Sequence, residues 1–385
     1  MKINSAYKYR IYPTAEQEVL LAKHFGCVRF IWNYFLNERK NHYLNNKEEI
    51  EAKRIKGALN YFDNAKHLTL LKQDEKYNWL KEVNSQSLQS CLKNLDSAYK
   101  MFFRKTHKFP RFKNKFDKQS FTIPQNLKLE DNKLFIPKFS NYIKIKVHRK
   151  FEGEFVVATI SKNNLNQYFV SIITEKEITI PSQVDGNIGI DLGIKDFATL
   201  SNGKKIKNPK ILKRNLKKIK FLQRQLSKAK KTSNSRNKRK LKLAKYHQKI
   251  ANIRNDFLHK ITNSISNENQ IVVLEDLAVR NMMKNHKLAQ AISDVSWYQF
   301  KRQLDYKCKW KGRSLIVIDR FFPSSKLCSC CKAIKQDLTL DIREWTCDSC
   351  DTIHDRDINA SINILNQGLK IADGIAVKSE GSCLQ

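Results

Sequence analysis

Large and polar residues alternate along Tyr7-Lys8-Tyr9-Arg10-Ile11-Tyr12, the period-two pattern of a strand with one buried face. Pro13-Thr14 closes that run, after which Leu20, Leu21, Phe25 and Val28 recur at helical spacing. Helical texture fills most of 14–106, and Leu88, Cys91, Leu92, Leu95 and Tyr99 mark one face of a second recognisable helix. Around Phe109-Pro110-Arg111-Phe112 the pattern changes. Leu134-Phe135-Ile136, Ile143-Lys144-Ile145-Lys146-Val147 and Tyr168-Phe169-Val170-Ser171-Ile172 read as strands separated by Asn, Gly and Pro. This predicts a small β-barrel over 107–181, joined by the strand in 1–13, with 14–106 as a helical insertion.

After a boundary near Pro181 to Asp185, Ile188-Gly189-Ile190-Asp191-Leu192-Gly193 and Phe197-Ala198-Thr199-Leu200-Ser201 read as adjacent strands opening an α/β domain over 182–320. Apolar residues at 212, 216, 219, 222 and 226, then at 246, 250, 253, 257 and 261, describe two amphipathic helices broken at Thr232-Ser233-Asn234-Ser235. They form a predicted hairpin within 205–266. Gln270-Ile271-Val272-Val273-Leu274-Glu275 and Ser314-Leu315-Ile316-Val317-Ile318 read as two further strands. Asp357 to Leu365 reads as a short helix, so 353–366 is expected to be the last piece of the α/β domain and 367–385 a flexible tail. The fold class is thus multidomain α+β.

Charge changes the picture from a generic multidomain protein to a binder of polyanions. The 385 residues hold 73 Lys and Arg against 37 Asp and Glu, a net +36, which points to nucleic acid. Between Lys204 and Arg254 there are 21 Lys or Arg and no acidic residue, whereas merely solvated helices mix both signs. The hairpin is therefore expected to dock its apolar side and offer its cationic side to phosphates. No apolar run approaches the ~20 residues that cross a bilayer, and the first residues lack a secretory pattern, so a cytoplasmic, nucleoid-associated protein without a membrane partner is expected.

Five of the nine cysteines, Cys328, Cys330, Cys331, Cys347 and Cys350, crowd into 23 residues. Cys328-x-x-Cys331 and Cys347-x-x-Cys350, 15 residues apart, have the spacing of two knuckles holding one tetrahedral structural Zn2+ over 321–352. Cys330 offers a competing register, but the C-x-x-C spacing favours Cys331. Lys332 and Asp351 stand where such knuckles often carry glycine, which predicts strained turns. Leu338, Leu340 and Trp345 are expected to cover the site.

Three acidic residues stand out by context: Asp191 on an apolar strand, Glu275 at the end of another, and Asp357 at a helix start after the cysteines. Singly, each is more often solvated or capping than catalytic. Together and in this order they suit phosphodiester cleavage, in which hard cations about 3.5–4 Å apart take carboxylate oxygens held on rigid elements. A ribonuclease H-like sheet would bring its first strand, a later neighbour and its last helix to one edge.

Gly189-Ile190-Asp191-Leu192-Gly193-Ile194, Leu274-Glu275-Asp276-Leu277, the double C-x-x-C and Asp355-Arg356-Asp357-Ile358-Asn359-Ala360-Ser361-Ile362-Asn363-Ile364 resemble the successive RuvC-type nuclease motifs of the transposon-encoded TnpB family. Tyr9-Arg10-Ile11-Tyr12-Pro13-Thr14 and Phe30-Ile31-Trp32-Asn33 resemble its N-terminal region, so the likeness spans about 1–366. The resemblance implies a relative of type V CRISPR nucleases that binds a guide RNA derived from the transposon end, recognises a short flanking motif and cuts double-stranded target DNA. It implies Asp191, Glu275 and Asp357 as ligands of two Mg2+ ions, with Mn2+ as a substitute, Asp276 and Asp355 as bystanders or supporting residues, and one protein per RNA. It further implies a wedge barrel, an inserted recognition lobe and a RuvC-like domain with an inserted zinc ribbon. Two other readings stay open: a ribonuclease H-like transposase and a nuclease-silent RNA-guided repressor.

Overall fold

The computed structural model describes residues 1–52, 54, 57–339 and 341–380, and the chain divides into two compact units between Glu177 and Ile178. In the first unit, seven strands among the described residues form one sheet: β1 (Lys2–Tyr12), β2 (Gln119–Ile123), β3 (Lys128–Glu130), β4 (Lys133–Phe135), β5 (Ile143–Lys146), β6 (Glu154–Lys162) and β7 (Tyr168–Glu177). Their order is β2-β6-β7-β1-β5-β4-β3. The alternation in β1 buries Ile3, Ser5, Tyr7, Tyr9 and Ile11, and β1 pairs antiparallel with β7 from Lys2↔Glu177 to Ile11↔Tyr168. The small β-barrel expected is here an open half-barrel sheet. Its edges are β2 and β3, and β3 and β4 are three residues each, too short a ladder to close it.

Between β1 and β2 run α1 (Ala15–Asn45), α2 (Lys47–Glu51), α3 (Tyr61–Leu71) and α4 (Ser85–Phe103). Thr14 starts α1 through a reciprocal cap: its backbone N–H donates to Gln17 Oε1 at 3.0 Å while its hydroxyl accepts from Gln17 N. Leu21, Phe25 and Phe35 of α1 share one apolar core with Leu88, Leu92 and Leu95 of α4 and with Tyr9, Phe121 and Ile160 of the sheet. Full burial of a side chain such as Phe35 stabilises the fold by about 1.5–3 kcal/mol.

The second unit is built on a sheet of β8 (Asn187–Leu192), β9 (Asp196–Leu200), β10 (Lys205–Lys207), β11 (Ile271–Glu275) and β12 (Ser314–Ile318), ordered β10-β9-β8-β11-β12. The first three are antiparallel neighbours, while β8, β11 and β12 run parallel. The basic hairpin is α5 (Ile211–Ser227) and α6 (Asn234–Glu268), broken over 228–233, which overlaps the expected Thr232-Ser233-Asn234-Ser235 but ends before Asn234, where the Ser233 hydroxyl caps α6. Ile219, Leu222, Ile250 and Leu258 are buried, while Lys213, Arg214, Lys217, Lys218, Lys220 and Arg224 are exposed. Asp294 ties the hairpin down, accepting from the Leu212 and Lys213 backbone and from Arg254.

After α7 (Val279–Met282), α8 (Ala289–Val295) and α9 (Trp297–Trp310), a short hairpin of β13 (Glu344–Thr346) and β14 (Ile353–Asp355) leads into α10 (Arg356–Glu380). The last helix therefore continues well past 366, where a flexible tail was expected. The continuation is stabilised because Leu365 and Ile371 pack with Val273 and Ile318, apolar positions too widely spaced to stand out in the sequence. Leu340 and residues 381–385 lie outside the described residues. Among the described residues, no helix is long and apolar enough to cross a membrane.

Candidate metal centres

The four sulfurs of Cys328, Cys331, Cys347 and Cys350 all lie within 4.8 Å of one another, with Cys328 Sγ to Cys350 Sγ at 3.7 Å and Cys331 Sγ to Cys347 Sγ at 3.5 Å. A tetrahedral zinc with bonds of about 2.3 Å sets its sulfurs roughly 3.8 Å apart, so the cluster fits that ion. Cys330 is exposed and stands outside the group. Lys332 (φ 66°) and Asp351 (φ 53°) both take the left-handed conformation, the strain expected where glycine is missing. Leu338 and Trp345 pack on the cluster. His354, which the sequence reading missed, is buried with Nε2 3.0 Å from Cys328 Sγ, its ring against Trp345 at 4.7 Å. Only the pairing of Trp345 with His354 across β13 and β14 brings it there.

The carboxylates are assembled differently. β8 and β11 are paired with Gly189 opposite Val273 and Ile190 opposite Leu274, so Asp191 and Glu275 follow at neighbouring ends of parallel strands. Side chains two apart share a sheet face, which places Asp191 with Gly189 and Glu275 with Val273. That face is the one α10 covers. A Cβ on Gly189 would lie 2.1 Å from the Ser361 carbonyl oxygen, and one on Gly368 would lie 2.4 Å from Val273 Cγ atoms, so both glycines permit the close approach. Asp357, one turn before Ser361, thereby meets the same sheet edge.

Electrostatics report this meeting. Burial, followed by the negative charges of Asp357 and Glu275, pushes Asp191 up to about 7, opposed by Arg356 and the Leu192 N–H. Burial also raises Glu275, opposed by the Ser324 hydroxyl, which donates to Glu275 Oε2 at 3.5 Å. Like-charged carboxylates in a half-buried position are destabilised unless protonated or shared with a cation. Hard oxygen donors of this kind fit Mg2+ or Mn2+. Unlike the cysteine sulfurs, the three carboxylates are not drawn to within 4.8 Å of one another.

Neighbouring residues hold the helix start in place. Asp355 Oδ1 accepts from the Asp357 and Ile358 N–H groups, capping α10, while its other oxygen takes Lys205 Nζ at 2.6 Å. Arg343 contacts Asp357 at 3.4 Å. Asn359 and Asn363, one helical turn apart, both donate to the Leu327 carbonyl, and Asn359 accepts from Ser329 N–H, fastening the first knuckle to the helix carrying Asp357. Asp276 receives Lys301 Nζ at 3.0 Å on one oxygen and Arg320 on the other.

Comparison with known proteins gives three matching family models. Residues 171–286 match the IS605 OrfB model described as "Probable transposase", 297–364 a "Cas12f1-like, TNB domain", and 1–48 a "Helix-turn-helix domain". The last stretch is here one strand followed by a single continuous helix and a few further residues. A Streptomyces pristinaespiralis protein named "Putative RNA-guided DNA endonuclease" is 39% identical over 99% of this chain and 94% of its own length. An Escherichia coli K12 protein named "Putative RNA-guided DNA endonuclease InsQ" is 33% identical, covering 96% and 93%. Among solved structures, the Cas12f1 chain of a complex with guide RNA and target DNA matches with a TM-score of 0.54 at 14% identity, over 95% of this chain and 99% of that one. The overall architecture is thus Cas12-like, with a zinc-ribbon-like domain.

Proposed function

The chain belongs to the TnpB family of IS605-type transposons, and from that premise we propose that it is an RNA-guided DNA endonuclease whose cutting site is Asp191, Glu275 and Asp357. One observation supports this reading above others: Asp191, on a rigid central strand, bears the charges of both other carboxylates in a half-buried position. Two Mg2+ ions held by these three residues would supply activation of a water and stabilisation of the leaving oxygen. The chain's own residues do the rest. β8 and β11 hold Asp191 and Glu275 at fixed spacing, Gly189 admits the helix that carries Asp357, and Asp355 caps that helix.

Guide RNA from the transposon end and double-stranded target DNA are the partners, one protein per RNA. The exposed cations of α5 and α6 and the net charge of +36 suit backbone contacts, since a protein that leaves sequence reading to base pairing needs charged channels more than base-reading side chains. The four-thiolate site, closed to further ligands, has a structural role.

The test loads the protein with guide RNA and presents a plasmid carrying a matching target beside its flanking motif. Wild type is expected to linearise the plasmid only with Mg2+ and guide, while Asp191→Ala cuts at least ~1,000-fold more slowly, since each metal-held charge is worth several kcal/mol of barrier. Equal cutting by Asp191→Ala would remove these residues from catalysis. Binding without cutting by wild type would leave the repressor reading, and guide-independent joining of transposon ends would favour the transposase.

A further inference from the structure

The three carboxylates do not gather within 4.8 Å of one another, so their spacing is set by the elements that carry them. Strand pairing fixes Asp191 against Glu275. Asp357 stands on a helix, and the apolar contacts of Ile364 and Ile371 with Val273 and Ile318 are non-directional, so they resist separation more than sliding. Gly189 sets how closely α10 approaches, not where along its axis the helix rests. The segment 324–329, which leads from β12 into the first knuckle, supplies that missing restraint. The Leu327 carbonyl accepts from Asn359 Nδ2 at 2.8 Å and from Asn363 Nδ2 at 2.6 Å, and Asn359 Oδ1 accepts from Ser329 N–H at 2.9 Å. Asn363 Nδ2 also donates to the Ser324 carbonyl at 3.0 Å. Both asparagines are 1% exposed, so a helix that slid or turned would break these bonds with no water at hand to replace them. Ser324 is buried as well, and its hydroxyl donates to Glu275 Oε2 at 3.5 Å. One residue therefore touches the second carboxylate with its side chain and the helix of the third with its backbone. Anchoring the ribbon needs only the bonds at Leu327 and Ser329, and the Ser324 contacts go beyond that.

We propose that Ser324 and Asn363 are positioning residues of the cutting site: together they join Glu275 to α10 and so set the distance from Glu275 to Asp357. The assignment rests on the endonuclease reading, which gives that distance its purpose. Mg2+ demands near-ideal octahedral geometry at short bond lengths, whereas the larger Mn2+ is more forgiving of where its ligands stand. Carboxylates moved slightly apart therefore lose more function with Mg2+ than with Mn2+. A fraction of the protein that is merely unfolded loses both alike.

The test compares the full chain as wild type, Ser324→Ala and Asn363→Ala, with guide RNA for cleavage and without it for Mg2+ binding. In each variant, single-turnover cleavage at saturating protein should slow about tenfold with Mg2+, the scale of a misplaced reacting group, but no more than about threefold with Mn2+, with target affinity within about twofold of wild type. Bound zinc, measured by elemental analysis, should stay near one per chain. In the guide-free protein, the Mg2+ concentration giving half of the rise in melting temperature should increase about threefold or more, the scale of one lost hydrogen bond. Ser324→Ala removes only a hydroxyl, so it carries the test if Asn363→Ala does not fold. Equal losses with Mg2+ and Mn2+ would overturn the proposal, as would wild-type cleavage by Ser324→Ala. Zinc lost in step with activity would overturn it too, by making the segment a support of the ribbon only. If wild type bound target without cutting, the endonuclease reading would fail. The Mg2+ titration would still decide the positioning, a shifted midpoint keeping it and an unshifted one removing it.

Discussion

The cysteine cluster and the proposed carboxylate site both offer metal donors, yet they differ in nearly every physical respect. The four cysteines come from 23 consecutive residues and converge through two tight turns, whereas Asp191 and Asp357 are 166 positions apart and meet only because a helix lies on a sheet. The sulfurs are closed around one point, while the carboxylates stand more openly. A soft, closed donor set stabilises a small hairpin that has little core of its own, whereas an open, hard one leaves positions for water and substrate. The difference teaches that a closed thiolate set serves stability, whereas the buried like charges at Asp191 cost stability, a cost that the proposed catalytic role would explain.

Three experiments press on that contrast. The largest expected effect is at the cysteines: Cys347→Ser should empty the zinc site and unfold 321–355, because structural zinc contributes binding energy on the order of 10 kcal/mol to folding. Cys330→Ser, outside the cluster, should change neither zinc content nor melting temperature. Equal zinc loss in both variants, measured by elemental analysis, would mean that the register is wrong.

Next in size, Gly189→Ala should destabilise the second unit by roughly 3 kcal/mol, since its Cβ meets the Ser361 backbone and the helix must shift as an element. The comparison predicts that cleavage fails in this variant while bound zinc stays near one per chain. Loss of zinc together with cleavage would show the two sites to be one structural unit.

The third effect is a pH dependence, absent in acid and complete only near neutral pH. Folding raises the Asp191 carboxyl from about 3.9 to about 7 without metal, so its stabilising contribution is complete below pH 4 and is lost as pH climbs through about 7. Asp191→Asn lacks that loss. Its melting temperature should therefore exceed that of metal-free wild type by a margin that grows between pH 4 and about 7, reaches on the order of ten degrees, and then levels off. Mg2+ should close the gap by stabilising wild type alone. A margin unchanged across this range would mean that neither burial nor its neighbours' charges raise the Asp191 carboxyl.

Legibility in the sequence followed the same division. The cysteine spacing, the break in the basic hairpin and the strain at Lys332 and Asp351 were all readable, because each depends on residues a few positions apart. The order of Asp191, Glu275 and Asp357 was readable too, but only by context along the chain. His354, Arg343 and Lys205 were not, since nothing in their surroundings distinguishes them until β13 meets β14 and the start of α10 meets β10.

Periodicity and residue chemistry were enough to mark β1, α1, α4, the basic hairpin and the strands carrying Asp191 and Glu275, to say which donors are soft or hard, and to raise the expectation of a polyanionic partner, because burial patterns and side-chain charge are local properties. Tertiary structure alone decided that the half-barrel stays open, that α10 runs to Glu380, and that three distant carboxylates share one sheet edge. Those outcomes depend on which surfaces pack together, and a close approach such as that of Gly189 to Ser361 is a property of two surfaces in contact, not of either segment alone.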